Sequence, residues 1–163
     1  MVDCLIALGS NLNNRQAYLS DAKMHLASLS KSPLLASSLY ETEPVGGVST
    51  YPFLNSIVQI QTDLQPSDLL KNLKDFEIRC GRDPNAKRWS NRVIDLDIIT
   101  YGEQRLQNQI LTIPHPEYTK RLFVLLPLKE IHPDWKDPIE GKYIDEIILS
   151  APQISVSKTN LNW

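Results

Sequence analysis

Two aspartates separated by a single residue, Asp95 and Asp97 in Arg92-Val93-Ile94-Asp95-Leu96-Asp97-Ile98-Ile99, have the types and spacing to do chemistry. In a strand they share one face with Cα atoms about 6–7 Å apart, while Ile94, Leu96 and Ile98 line the other. Paired carboxylates on a packed strand repel each other and lose hydration, so the arrangement requires positive charge beside them. Hard oxygen donors in this geometry suit Mg²⁺, with one ion or two sharing the pair; a solvated outer face carrying two unengaged acids is the alternative. The preceding segment is basic: Arg79, Arg82, Lys87, Arg88 and Arg92 stand against Asp83 alone, a local net charge of +4 over residues 79–92. A basic loop abutting two carboxylates suits a metal-bound polyphosphate whose remaining oxygens the arginines neutralise. Neither G-x-x-x-x-G-K-[ST] nor a kinase glycine loop occurs, so phosphate recognition falls to side chains and metal.

Other residues extend the constellation. Trp89 sits in the same basic loop, where an indole is costly unless it covers something, and a lid over a flat ring is one use for it. Glu77 falls one turn after Leu73 on the apolar side of a helix, where a carboxylate needs a partner; exposure at the surface is the alternative. His115 is held between Pro114 and Pro116, and Arg121 follows six residues on, a pairing that suits phosphate contact. Phe53, Asn55 and Phe123 can form a slot in which aromatics stack on a heterocycle and the Asn amide pairs with its edge. Membership of the apolar core is the alternative for both phenylalanines.

The elements that must position these residues follow from periodicity. Residues 2–8 form a short apolar run closed by Gly9-Ser10-Asn11, read as a buried strand ending in a turn. Leu19, Ala22, Leu26 and Leu29 give residues 14–30 a helical stripe. A second strand is expected over 34–42, then a mobile loop over 43–52 with two prolines and two glycines. Residues 53–62 alternate, with Leu54, Ser56, Val58 and Ile60 on one side and Phe53, Asn55, Ile57 and Gln59 on the other. Pro66-Ser67-Asp68 opens a helix whose apolar face runs through Leu69, Leu70, Leu73, Phe76 and Cys80 to Gly81. A polar loop over 82–91, a strand over 92–101, an apolar segment over 123–131, a short helix near 143–149 and a tail with a possible closing strand complete the chain. The pattern predicts an α+β sandwich: helices flank a mostly antiparallel sheet, and mobile loops border the site.

Composition sets the outer bounds. The chain has 163 residues, 42% hydrophobic and 22% charged, with a net charge of −2. It is expected to form one domain over residues 1–163 that buries about two-thirds of its unfolded surface. Near-neutral charge argues against a nucleic-acid binder. Cys4 and Cys80 form no C-x-x-C pair, and Cys4 reads as a buried apolar residue. With no basic leader and no apolar run of membrane length, a reduced, cytoplasmic protein is expected.

With these residues in view, the sequence resembles the 6-hydroxymethyl-7,8-dihydropterin pyrophosphokinase family of folate biosynthesis. The matching blocks are Ala7-Leu8-Gly9-Ser10-Asn11-Leu12, Tyr40-Glu41-Thr42-Glu43-Pro44-Val45-Gly46 and Phe53-Leu54-Asn55. Further blocks are Glu77 through Gly81-Arg82, Arg88-Trp89-Ser90-Asn91-Arg92, Asp95-Leu96-Asp97-Ile98, and Pro114-His115-Pro116 through Arg121-Leu122-Phe123-Val124-Leu125. The resemblance implies a ferredoxin-like sandwich that moves pyrophosphate from ATP to the hydroxymethyl oxygen of a dihydropterin, releasing AMP. It implies two Mg²⁺ ions on Asp95 and Asp97, with Arg82 and Arg92 completing the catalytic group. ATP would be contacted by Glu77, Trp89, Arg92, Ile98, Thr112, His115 and Arg121. The pterin would be held by Thr42, Val45, Phe53, Asn55, Trp89 and Phe123. ATP and the dihydropterin are then the expected partners of a monomer, with no nucleic acid and no membrane.

Four places depart from the family pattern. Lys74 stands where a Gln that touches the nucleotide is common, and Pro84 where some members carry Arg. Ser90-Asn91 replaces a frequent Gly-Pro, and Ile110 occupies a position where an Arg can reach ATP. Two rival readings are a pterin or nucleotide sensor that keeps the fold without catalysis, and a metal-dependent phosphohydrolase that uses water as acceptor. The intact aspartate pair counts against the first, and the aromatic–Asn slot against the second.

Overall fold

A computed structural model of the chain describes residues 1–43, 51–83, 85 and 91–163. Of the residues named above, Val45 and Trp89 lie outside the described residues, as do Pro44, Gly46, Pro84, Lys87, Arg88 and Ser90.

The strands are β1 (Val2–Ser10), β2 (Leu35–Ala36), β3 (Tyr40–Thr42), β4 (Phe53–Thr62), β5 (Asp95–Tyr101), β6 (Leu106–Gln107), β7 (Thr112–Ile113) and β8 (Val156–Lys158). The helices are α1 (Arg15–Leu29), α2 (Pro66–Arg79), α3 (Leu122–Ile131) and α4 (Ile144–Ser150). The main sheet runs β5-β1-β4-β3-β8, with β2 also paired to β4, and its ladders are antiparallel. β1 reaches β3 through α1 and β4 reaches β5 through α2, each skipping one strand. These two interleaved split β-α-β units are the ferredoxin-like arrangement.

Alternation in β4 puts Leu54, Val58 and Ile60 against α1 and α2, where Leu19, Ala22, Leu26, Leu69, Leu73 and Phe76 complete one core. The opposite face carries Leu5, Ile57 and Ile99 into a second core with Val124, Leu125, Leu128, Ile144 and Ile147 of α3 and α4. Helices therefore cover both faces, and the expected alternation of 53–62 is the observed one. Pro66 occupies the first turn of α2, where a missing N–H costs nothing. The Asn14 side chain caps α1 by accepting from the Ala17 amide at 3.1 Å.

The sheet differs from the sequence expectation in three places. β1 runs through Gly9 and Ser10 rather than turning there, because both residues pair with β4. The strand expected over 34–42 is split into β2 and β3. At the break the Ser37 hydroxyl accepts the Ile57 amide at 3.1 Å and contacts the Ser56 hydroxyl at 2.8 Å, replacing ladder bonds. β5 starts at Asp95, not at Arg92, and its register against β1 shifts between Leu5 and Ile6. That bulge lets Ile98 and Tyr101, three residues apart, face the same core.

The tail does close the sheet, with β8 on β3. Trp163 then folds back, its indole N–H donating to the Ser37 carbonyl at 3.0 Å beneath the Lys23 ammonium at 4.4 Å. Among the described residues no helix is long and apolar enough to cross a membrane.

Candidate active site

Register across three strands assembles the site. Gly9 of β1 stands opposite Asp95 on one side and Asn55 on the other, so all three share a face. Ala7 stands likewise between Asp97 and Ile57. Asp95 and Asn55 are thus two strand spacings apart, roughly 10 Å. Between them Gly9 contributes no side chain: a Cβ there would lie 3.2 Å from Asn55 Oδ1 and 3.7 Å from Phe53 Cδ1. The glycine keeps the hollow between amide and carboxylates open. Reading Gly9 only as a turn missed this, because its role depends on strands 46 and 86 residues away.

The carboxylates are met by cations, as the strand reading required. Arg82 donates to Asp95 Oδ1 at 2.8 Å and Arg92 to Asp95 Oδ2 at 2.9 Å. Arg82 also donates to Glu77, which is 1% exposed. Glu77 Oε1 accepts the Leu96 amide at 2.6 Å and the Lys74 ammonium at 2.9 Å. Burial pushes the Glu77 carboxyl above the usual carboxylate range, Lys74 pulls it back, and Asp95 adds to the rise. Glu77 is therefore buried and partnered rather than exposed at the surface. Lys74 also lies 3.7 Å from Asp97 Oδ1.

Across Gly9 from Asp95, Asn55 is 5% exposed and donates through Nδ2 to the Thr42 hydroxyl at 2.8 Å. Its Oδ1 is then turned toward the Gly9 hollow as an acceptor for a ring N–H. Phe53 is half-buried at the start of β4, and Phe123 is half-buried in the first turn of α3 with the Arg121 guanidinium 5.9 Å from its ring.

His115 follows the cis Ile113–Pro114 bond, its amide held by the Ile99 carbonyl at 2.9 Å. Its Nδ1 accepts the Glu117 amide at 3.1 Å, which leaves Nε2 to carry the ring proton. Burial lowers its pKa, opposed by Asp97 and reinforced by Arg121, so the ring stands within reach of both fields. Thr112 is on β7, which packs beside β5. Ile98 points away from the aspartates into the core under α1 and α2, so only its main chain can face this side.

Asn11 is a positioning residue that the sequence reading passed over. It is 2% exposed. Its main chain and Oδ1 bracket Arg92, donating to the Arg92 carbonyl at 3.0 Å and accepting its amide at 2.6 Å. Its Nδ2 donates to the Asn91 side chain at 2.9 Å and the Tyr51 carbonyl at 3.2 Å. One buried amide thus ties the segment entering β4 to the segment that delivers Arg92.

The model of the 7,8-dihydro-6-hydroxymethylpterin-pyrophosphokinase family matches residues 5–133. The chain belongs to this family. The 2-amino-4-hydroxy-6-hydroxymethyldihydropteridine pyrophosphokinase of Haemophilus influenzae is 37% identical over 161 residues, covering 98% of this chain and 99% of that one. The Bacillus subtilis pyrophosphokinase of the same name is 41% identical over 127 residues, 77% of this chain and 75% of that one. Among solved structures, an HPPK-DHPS crystallised with substrates superposes with a TM-score of 0.70 at 15% identity, over 91% of this chain and 43% of that one. The wild-type Plasmodium falciparum HPPK-DHPS with pteroate gives 0.70 at 16% identity, over 91% and 42%. At those identities the superposition shows the fold alone, and this chain spans less than half the length of either structure.

Proposed function

We propose that this face of the sheet is where the chain, as a 2-amino-4-hydroxy-6-hydroxymethyldihydropteridine pyrophosphokinase, transfers pyrophosphate from ATP to the hydroxymethyl oxygen of 6-hydroxymethyl-7,8-dihydropterin. The observation that carries the site assignment is the register Asp95–Gly9–Asn55: an amide for a heterocycle edge and a carboxylate for a metal-bound phosphate, with an open glycine between them.

The donor set fits Mg²⁺. Asp95 and Asp97 are partly exposed, share a face and offer only hard oxygens. Among the described residues no third Asp, Glu, His or Cys joins them. A site with two carboxylates suits an ion that keeps water and phosphate oxygens as its other ligands. When bound, the metal would neutralise triphosphate charge and lower the pKa of the acceptor hydroxyl.

The chain's own residues do the rest by position and charge. Asn55, fixed by Thr42, orients the pterin edge, and Phe53 and Phe123 flank its ring. Arg82 and Arg92, now paired with Asp95, are placed to turn to phosphate oxygens as the triphosphate arrives. His115 and Arg121 approach from the α3 side. Phosphoryl transfer needs little covalent help, so holding donor and acceptor in line supplies most of the acceleration.

The test is direct. Protein incubated with ATP, Mg²⁺ and 6-hydroxymethyl-7,8-dihydropterin should yield AMP and the pterin pyrophosphate. Formation of ADP, or of phosphate without use of the pterin, would overturn the assignment.

A further inference from the structure

β5 is an edge strand, and Leu96, between the two aspartates, has its outward main-chain groups taken up by side chains of α2. Its amide donates to Glu77 at 2.6 Å, and its carbonyl accepts the Lys74 ammonium at 2.9 Å. Lys74 and Glu77 are one helical turn apart and bonded to each other at 2.9 Å. Together they stand in for a missing neighbour strand at the point where the carboxylates project.

The clamp leaves the aspartates electrically unequal. Asp95 faces two guanidiniums on segments outside regular helix and strand, one of which, Arg82, is also bonded to Glu77. Asp97 faces Lys74 at 3.7 Å. That ammonium is held by charge-assisted bonds to a carboxylate that is 1% exposed and to the strand itself. Withdrawing it would remove one of the cations that compensate buried Glu77.

We propose that Lys74 is a positioning residue whose tethered charge opposes cation binding at Asp97, so that the aspartate pair holds a divalent ion weakly until substrate phosphates add negative charge. The inference rests on the metal reading above. Two unit charges about 4 Å apart in a water-like medium interact by roughly a fivefold factor in an equilibrium constant, more where hydration is poorer. Removing the charge should tighten divalent binding to the free protein about three- to tenfold.

Mn²⁺, a hard octahedral probe of carboxylate and water sites, can be titrated into the nucleotide-free full chain and read by electron paramagnetic resonance. Lys74→Gln keeps a donor for the Leu96 carbonyl without the charge and should bind Mn²⁺ more tightly than wild type. The difference should shrink at 0.5 M salt, a condition of roughly 4 Å screening length. Lys74→Arg should match wild type. Lys74→Ala gives the same readout if the glutamine variant does not fold. A purely structural lysine predicts the opposite sign, because loosening the strand would weaken the ion.

Asp97→Asn separates the two claims. If it loses Mn²⁺ while the charge-free Lys74 variants bind no more tightly than wild type, the role of Lys74 falls and the metal reading stands. If Asp97→Asn binds Mn²⁺ as well as wild type does, the metal reading falls and the Lys74 inference with it.

Discussion

Glu77 and Asp137 are almost equally hidden, at 1% and 4% exposure, yet they belong to different kinds of region. Glu77 is held by two cations and one amide, and Arg82 shares itself between Glu77 and the partly exposed Asp95. Asp137 is held by neutral donors: the Tyr118 hydroxyl and the amides of Ile139 and Glu140, in a turn closed by the Gly141 amide on its own carbonyl. The Tyr118 ring packs edge-on to Trp135 at 5.7 Å, and burial with the Asp137 contact pushes its phenol far above the ordinary range. Burial of an acid therefore does not mark a site. The proposed site is distinguished by a charge network that continues outward from the buried acid to carboxylates in contact with solvent.

The largest effect expected from this contrast is on turnover. Asp97→Ala should lower the rate of AMP formation by about 10²- to 10³-fold, the scale of losing one major charge-stabilising group. Stability should shift by no more than about 0.5 kcal/mol, because Asp97 is one-third exposed and its ion pair is partly solvated. A melt monitored by circular dichroism beside a product assay checks both halves. Unchanged turnover at saturating Mg²⁺ would break the distinction between the two regions.

The reverse pattern is expected at the turn. Asp137→Ala strips an acceptor from three donors and should cost about 2–4 kcal/mol in urea unfolding, with kcat within about twofold of wild type. A loss of kcat in the folded variant would mean that this end of the molecule is coupled to the site.

The smallest effect concerns the α1–α2 interface behind Glu77. His25 stacks on Phe76 at 4.6 Å, and its Nε2 is buried without a hydrogen-bond partner among the described residues. Burial and then Arg79 lower its pKa below the ordinary 6.5. Between the folded and unfolded values the unfolded chain binds more protons, so stability rises with pH there. The contribution is complete above about pH 6.5 and is lost as pH falls through the folded value. His25→Leu should flatten the fall in urea midpoint from pH 7.5 to 5, leaving the part due to His132 and His115, whose pKa values burial also lowers. An unaltered pH slope would show that the ring is not kept neutral by its surroundings.

Some of this was legible in the chain because the relevant physics is local. The two-residue period of a strand puts Asp95 and Asp97 together whatever the rest of the fold does, and Ile94, Leu96 and Ile98 fall into the opposite core as that period demands. The helix start at Pro66, the stripe through Leu69, Leu73 and Phe76, and the need for a partner at Glu77 follow from the same short-range rules. Motif blocks carried the family, with residues 5–133 matched. Spacing could not reveal that Ser37 interrupts the second strand, because its hydroxyl finds Ser56 and the Ile57 amide only once β4 is alongside.

The sequence by itself determined which groups could carry the chemistry and on which face of their own element each would lie, since φ/ψ preference and side-chain period are properties of neighbouring residues. Tertiary structure alone decided what faces what. Gly9 became the opening between Asn55 and Asp95, Asn11 the tie between two distant segments, and Lys74 and Glu77 the clamp on β5. Each depends on the register of β1 with β4 and β5 or on the docking of α2 at the sheet edge. That register is set by how two cores close at once, a condition spread over the whole chain and written at no single position.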